Sequence, residues 1–283
     1  MSEHDNLFDL YDFVQEDLKF MVKSGIRLKI LVSLSDGLKS MKEIKEEYDL
    51  SFATLSNNMK RLQEEGLVQK FDDKYKLSQM GVLKLDRIWD FHRYMYVANN
   101  FEDLWLNHNL KGIPDKFLNE IDVFMTAELV RSTAVDIYKP HNTYKDIVIG
   151  STVIYGVSPI SHPDFIELFD ELIQSDTDIE LILSDEIIKK TVISADFRDL
   201  SKAITNKNLN IRRYAGGNLD IAFTVTDKFI SIGLFGSDGI YDQNRDLVSY
   251  DPRAVDWGMR LYREYYKKSE KLNVKTLAKI LVS

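Results

Sequence analysis

The sequence predicts an α+β chain of more than one domain, and three observations carry that prediction. Serine precedes a helical apolar period three times between residues 24 and 64; a charged hairpin pattern follows the third; and apolar alternating runs trade places with amphipathic ones from about Tyr144 onward. With 283 residues and 44% hydrophobic content, the chain is long enough for two domains that each bury a core. The expected division is 1–83, a three-helix-and-hairpin domain with a preceding helix; 84–140, a helical linker or dimerisation region; and 141–283, an α/β domain.

Leu7, Leu10, Val14, Leu18 and Met21 recur every three or four residues and predict an acidic amphipathic helix. Ser24 is placed to cap a second helix with Ile26, Ile30, Leu31 and Leu34 on one side, stopping at Asp36-Gly37. Ser40 caps a short helix through "MKEIKEEYD", and Ser51 caps the next, "FATLSNNMKRLQEE", which ends at Gly66. In that helix Phe52, Leu55, Met59 and Leu62 share the stripe expected to be buried, which turns Thr54, Asn57 and Arg61 outward with Asn58 at the edge. "LVQKFDDKYKLS" then reads as two strands about Asp72-Asp73, with Lys74 and Lys76 opposite Tyr75 and Leu77. Three helices and a lysine-bearing hairpin constitute a winged helix-turn-helix.

Charge singles out the same region. The chain carries a formal −8, yet residues 20–85 hold twelve Lys or Arg against nine acids. Contact with nucleic acid is therefore local, not spread over the whole surface. The stretches "SGIRLKILVSL", "SMKEIKEEYDLSFATLSNNMKRLQEEGLV" and "KYKLSQMG" resemble the DNA-binding domain of ArsR- and MarR-type regulators. By that resemblance Thr54, Ser56, Asn57 and Asn58 occupy recognition-helix positions. With the cap and the cationic side chains, the expected DNA-contact set is Ser51, Thr54, Ser56, Asn57, Asn58, Lys60, Arg61, Lys70, Lys74 and Lys76; relatives often carry Arg or His where Asn57-Asn58 stand here.

A long helix is expected from Ser78 through "VLKLDRIWDFHRYMYVANNFEDLWLNH". Its rings at Trp89, Phe91, Tyr94, Tyr96, Phe101 and Trp105 exceed what one stripe needs, so they pack either on a second subunit or on the chain's own second domain. Beyond it, "KDIVIGS", "VIYGVS", "DIELILS", "LNIRRYA", "DIAFTVTD" and "FISIGLFG" read as strands. "HPDFIELFDELIQ", "DEIIKKTVISADFRDLSKAI" and "DPRAVDWGMRLYREYYKKSEKL" read as helices, and Gly216-Gly217 as a hairpin turn.

"LWLNHNLKGIPDKFLNEI", "DIYKPHNTYKDIVIGSTVIYGVSPISHPDFIELF" and "FTVTDKFISIGLFGSDGIYD" resemble the archaeal regulator family linked to methanogenesis and filament formation. The resemblance spans roughly residues 20 to 270 and implies a transcription regulator whose second domain senses a small molecule. The order of elements also resembles phospholipase D-like folds. That chemistry needs a histidine nucleophile with a lysine two residues on, and none of His4, His92, His108, His141 or His162 has one. A Walker A loop, G-x-G-x-x-G and H-E-x-x-H are absent as well, so no enzyme activity is expected.

There is no cysteine, and the five histidines are scattered along the sequence, so no metal or other cofactor is expected. The acidic start lacks the order of a signal peptide and no run is long enough to span a bilayer, which points to the cytoplasm. An effector site is sought at strand ends, where open α/β sheets bind ligands: Tyr155, Ser158 and His162 after one strand, Arg212 and Tyr214 with Arg213 in another. The function expected is a sequence-specific, dimeric DNA-binding transcriptional regulator tuned by an effector. The alternatives are a protein-interaction scaffold and a degenerate hydrolase.

Overall fold

A computed structural model describes residues 3–162, 164–194, 207–273, 276–277 and 280. The chain forms two compact units, Met1–Arg93 and Tyr94–Ser283. The first contains α1 (Glu3–Val22), α2 (Gly25–Ser35), β1 (Lys39–Ser40), α3 (Met41–Tyr48), α4 (Phe52–Glu64), β2 (Val68–Phe71), β3 (Lys74–Leu77) and the greater part of α5 (Gln79–Asn100).

All three serines cap as their positions require. Ser24 accepts from the Arg27 amide, Ser51 from the Thr54 amide, and Ser40 forms a reciprocal box with Glu43. Asp49 and Gly66 take left-handed conformations at φ 50° and 69°, releasing the chain from α3 and from the end of α4. The hairpin turns at Asp72-Asp73, with Asp72 at φ 53°, and β1 adds a third strand in the order β1-β3-β2. Ile30, Leu31, Leu34, Ile44, Leu55, Met59, Leu62 and Leu67 form the core of this winged helix-turn-helix.

Two apolar assignments differ from expectation. Phe52 is 60% exposed because it sits at the first helical position, one turn ahead of Leu55, where the packed part of the stripe begins. On α1 only Met21 is buried and Val14 is half-buried, while Leu7, Leu10 and Leu18 are exposed together with Phe8 and Phe13. Ser78 closes the junction between hairpin and α5: its hydroxyl donates to the Gly66 carbonyl at 2.6 Å and accepts from the Gly81 amide at 2.9 Å. A Cβ on Gly81 would lie 2.1 Å from the Leu67 carbonyl oxygen, so this close approach needs glycine.

The second unit contains α6 (Glu102–Asn107), β4 (His108–Asn109), α7 (Asp115–Leu118), a 3-10 turn (Ile121–Phe124), β5 (Glu128–Arg131) and α8 (Lys139–Val148). β6 (Val153–Ser158), α9 (Phe165–Gln174), β7 (Asp178–Leu183), α10 (Asp185–Ser194), β8 (Leu209–Tyr214) and β9 (Ile221–Thr226) follow. β10 (Ile230–Gly236), β11 (Arg245–Ser249), α11 (Pro252–Lys267) and β12 (Ser269–Lys271) complete it. The sheet runs β12-β8-β7-β6-β9-β10-β11-β5, with β4 on the end of β10; β6, β7 and β8 are parallel and the other neighbours antiparallel.

Several local readings give way to this topology. "KDIVIGS" is not a strand: its first four residues close α8, where Pro140, Tyr144 and Val148 recur at four-residue spacing and Pro140 and Val148 are buried. Gly216-Gly217 is not a hairpin turn, because β8 and β9 are separated in the sheet by β7 and β6. The final helix stops at Lys267, and Ser269–Lys271 pairs with β8 instead. α5 breaks at Phe101 and restarts as α6. Residues 94–140 supply β4, β5 and core side chains to the second unit, including Val97, Phe101, Leu104, Phe117 and Phe124. Of the helix "DEIIKKTVISADFRDLSKAI", the part beyond Ser194 lies outside the described residues.

Alternation splits the sheet. Val157, Ile182, Phe223, Val225, Ile230, Ile232 and Leu247 face α11, whose Trp257 is fully buried edge-on between Phe117 and Phe124 and donates Nε1–H to the Phe117 carbonyl at 3.1 Å. Ile154, Leu168, Leu172, Ile179 and Phe229 form a separate cluster with Val148 of α8 on the other side. Trp257→Ala removes the side chain that joins α11 to the α7 region. Urea denaturation should show the second unit losing about 3–5 kcal/mol of stability, and an unchanged midpoint would place the core elsewhere.

Candidate functional site

The α4 helix presents Ser56, Asn57, Lys60 and Arg61 to solvent because Leu55, Met59 and Leu62 are locked inside. Three of the expected contact residues are engaged locally. The Ser51 hydroxyl donates to Thr54 Oγ1 at 2.8 Å while accepting from the Thr54 amide at 3.1 Å, so both side chains build the cap. The Asn58 amide donates to the Thr54 carbonyl at 2.8 Å and is half-buried. The outward polar edge therefore centres on Ser56, Asn57 and Lys60, with Arg61 beside it; Lys60 is paired with the exposed Glu64 at 3.8 Å. On the hairpin, Lys74 is exposed at the turn, Lys76 lies over the Phe71 ring at 4.3 Å and Lys70 near the Tyr75 ring at 5.9 Å. The aromatic stems hold these ammonium groups on the strand surface.

In the second unit the five proposed effector residues do not form one cluster. Tyr155 packs on Tyr262, Tyr214 on Tyr265, and the Arg212 guanidinium lies 3.8 Å over the Tyr266 ring, all on the α11 side. Arg212 is further tied to the Ser269 hydroxyl and carbonyl at 2.8 and 2.9 Å. Arg213 points the other way, bidentate on Asp185 at 2.6 Å and paired with Glu270. Alternation puts Ser158 on the Ile154 face, where its hydroxyl folds back on Ile160.

His162 has company that sequence distance concealed. Its ring stacks on His141 with centroids 3.7 Å apart, and His141 Nε2 lies 3.2 Å from Asp164 Oδ2. His162 Nδ1 accepts from the Asp164 amide at 3.3 Å, so the uncharged ring carries its proton on Nε2. Burial and the neighbouring His141 hold the His162 pKa down, and the bond from His141 holds Asp164 below the usual carboxylate range. The histidines, separate in sequence, are therefore paired in space, which corrects the ground on which metal binding was set aside.

A second group went unread. Under α8 the sheet face is polar, with Thr224, Thr226, Ser231 and Asp246 buried and the Tyr144 hydroxyl 3.1 Å from Thr224 Oγ1. The Ser231 hydroxyl donates to the Asp246 carboxylate, but burial dominates and pushes the Asp246 pKa up to about 7. Tyr144 is pushed up to about 12 by burial as well, and Tyr241 well upward by burial and Asp246. The only advance sign was an acid inside an otherwise strand-like stretch, "RDLVS".

The chain thus joins a winged helix-turn-helix to a mixed-sheet unit. Residues 15–91 match the profile "Methanogenesis regulatory protein FilR1, N-terminal domain" and residues 137–268 match its middle domain; the chain belongs to this regulatory family. The curated FilR1 of Methanothrix harundinacea (strain 6Ac) is 21% identical over 272 residues, covering 94% of this chain. The chain spans 60% of that relative's length. Among solved structures, TrmBL2, described as an archaeal chromatin protein with a novel mode of DNA binding, is 14% identical over 86% of this chain and 91% of its own, with a TM-score of 0.42. Phosphatidylserine synthase of Haemophilus influenzae Rd KW20 is 11% identical over 54% and 40% of the two chains, also at 0.42. Among the described residues no helix is long and apolar enough to cross a membrane.

Asp246 gives this unit a pH signature. Its folded pKa lies above the unfolded one, so its contribution is fully present below the unfolded pKa and is lost as pH rises through about 7. Replacing it by Asn removes the ionisation. The stability of Asp246→Asn relative to the parent should rise from about pH 4 and level off above about pH 7, by about 4 kcal/mol in total. Parallel stability–pH curves in urea titrations would contradict this.

Proposed function

We propose that this chain is a sequence-specific DNA-binding transcriptional regulator that acts as a dimer and is modulated by a small molecule bound to its second unit. The observation that carries the DNA reading is the outward edge of α4, Ser56, Asn57, Lys60 and Arg61, opposite a fully packed stripe and in the same small domain as a wing bearing Lys70, Lys74 and Lys76. In this reading α4 lies in the major groove. Asn57 offers a side chain that pairs bidentately with adenine, and the lysines and Arg61 neutralise phosphates. Ser51, Thr54 and Asn58 hold the helix start in shape. Membership of a regulatory family agrees with this assignment.

Support for the dimer comes from apolar surface that the chain does not cover. Leu7, Leu10 and Phe13 on α1 are exposed, as are Leu83, Trp89 and Phe91 on α5, whereas Phe101 and Trp105 are absorbed by the second unit's own core. An excess of exposed apolar side chains on two helices fits an interface, and operator-reading helices work in pairs about one helical turn apart. The effector is placed at the ends of the parallel strands, where such sheets take ligands.

Arg61→Ala and Lys74→Ala should each weaken binding to an upstream duplex and reduce the salt slope by about 1. Asn57→Ala should alter sequence preference more than overall affinity. Unchanged slopes in both charge variants would remove α4 and the wing from the interface. Phe13 is 87% exposed, so Phe13→Asp leaves the fold intact; light scattering should show the parent as a dimer and this variant shifted to monomer, and a monomeric parent would sink the dimer.

A further inference from the structure

We propose that His141, His162 and Asp164 form a binding site for one divalent transition-metal ion of the Zn2+ class at the C-terminal end of β6. Their donor atoms all lie within 4.8 Å of one another although they come from the first turn of α8, the loop after β6 and the residue before α9. A tetrahedral ion with bonds of about 2.0–2.1 Å to nitrogen holds its donors about 3.3 Å apart. Asp164 Oδ2 is 3.2 Å from His141 Nε2, near that value, and the other oxygen, Oδ1, is 3.8 Å from His162 Nδ1, so the carboxylate faces both rings with one oxygen toward each. Two imidazoles and one carboxylate suit zinc, nickel or copper better than calcium or magnesium, which prefer oxygen alone.

The charges around the three groups are balanced from within. The Lys145 ammonium stands 3.5 Å from Asp164 Oδ2, beside the position a cation would take, and its side chain is 35% exposed, so it can withdraw into solvent. Phe165 also stands beside the group, 6.0 Å from His141 and 5.7 Å from His162 between ring centroids, and supplies an apolar wall. Binding releases the proton on His141 Nε2 to solvent and breaks the hydrogen bond that the Asp164 amide donates to His162 Nδ1. Three protein donors leave a coordination position open for water or an anionic ligand. The effect reaches the sheet through α8, because Tyr144, one turn after His141, bonds Thr224 of β9.

The test is calorimetric titration of the tag-free full chain with Zn2+, together with Co2+ titration followed by its ligand-field absorption. One ion per chain is expected. His162→Ala and Asp164→Asn should each weaken it by at least the tenfold to roughly hundredfold that even an outer-sphere partner costs. His92→Ala, which alters a histidine outside the group, should leave it unchanged. Circular dichroism checks that each variant folds, and Asp164→Asn, at a partly exposed residue, stands in if His162→Ala does not. No binding by the parent, or equal binding by the parent and both ligand variants, would overturn the site.

Discussion

Burial of Leu55, Met59 and Leu62 against α2 and the hairpin fixes which side of α4 meets solvent, and the rest of the first unit follows from that constraint. A helix has one rotation about its axis that hides this stripe, so Ser56, Asn57 and Lys60 are outward whatever their chemistry. The caps set the length of the exposed edge. Ser51 starts it, Gly66 at positive φ ends it, and the return to Ser78 and Gly81 seats the hairpin beside it. Residues that a binding account would assign to DNA, Ser51, Thr54 and Asn58, are engaged in keeping that geometry. Preorganised edges of this kind lose little entropy on meeting a rigid duplex.

The second unit is built on a different rule, the period of two in its strands. One face is continuous hydrocarbon closed by α11 and Trp257. The other changes along the sheet from apolar under α9 to polar under α8, where Thr224, Ser231 and Asp246 are buried. Burying a carboxylate with a single hydroxyl partner costs stability at neutral pH, and the surrounding core must offset it. The histidine pair and Asp164 stand at the end of β6 beside this polar half, so the unusual chemistry of the unit collects around α8.

The local parts of this architecture were legible in the sequence. Serine caps, a glycine stop and alternating lysines are signals written within a few residues, and α2, α3, α4 and the hairpin fall where Ser24, Ser40, Ser51 and Asp72-Asp73 place them. Pairings between distant segments were not. β4 and β5 are too short to carry a period, and they become strands only because β10 and β11 offer them edges. "KDIVIGS" looks extended when read alone, but Pro140, Tyr144 and Val148 show a helix once the preceding turn is included. The proximity of His141 to His162 has no sequence signal at all, since it depends on how α8 crosses the end of β6. The surplus of rings on α5 and α6 was visible, and their division between core and surface was set by the break at Phe101.

The claim on which the account rests is that α4 and the wing recognise DNA. Its most direct test is binding of the purified protein to duplex from its own upstream region and to an unrelated duplex of equal length, across a salt series. The account predicts tighter binding to the first, with affinity for both falling steeply as salt rises. Equal affinity for the two duplexes, or none for either at low salt, would contradict it and leave the outward edge of α4 as solvated surface.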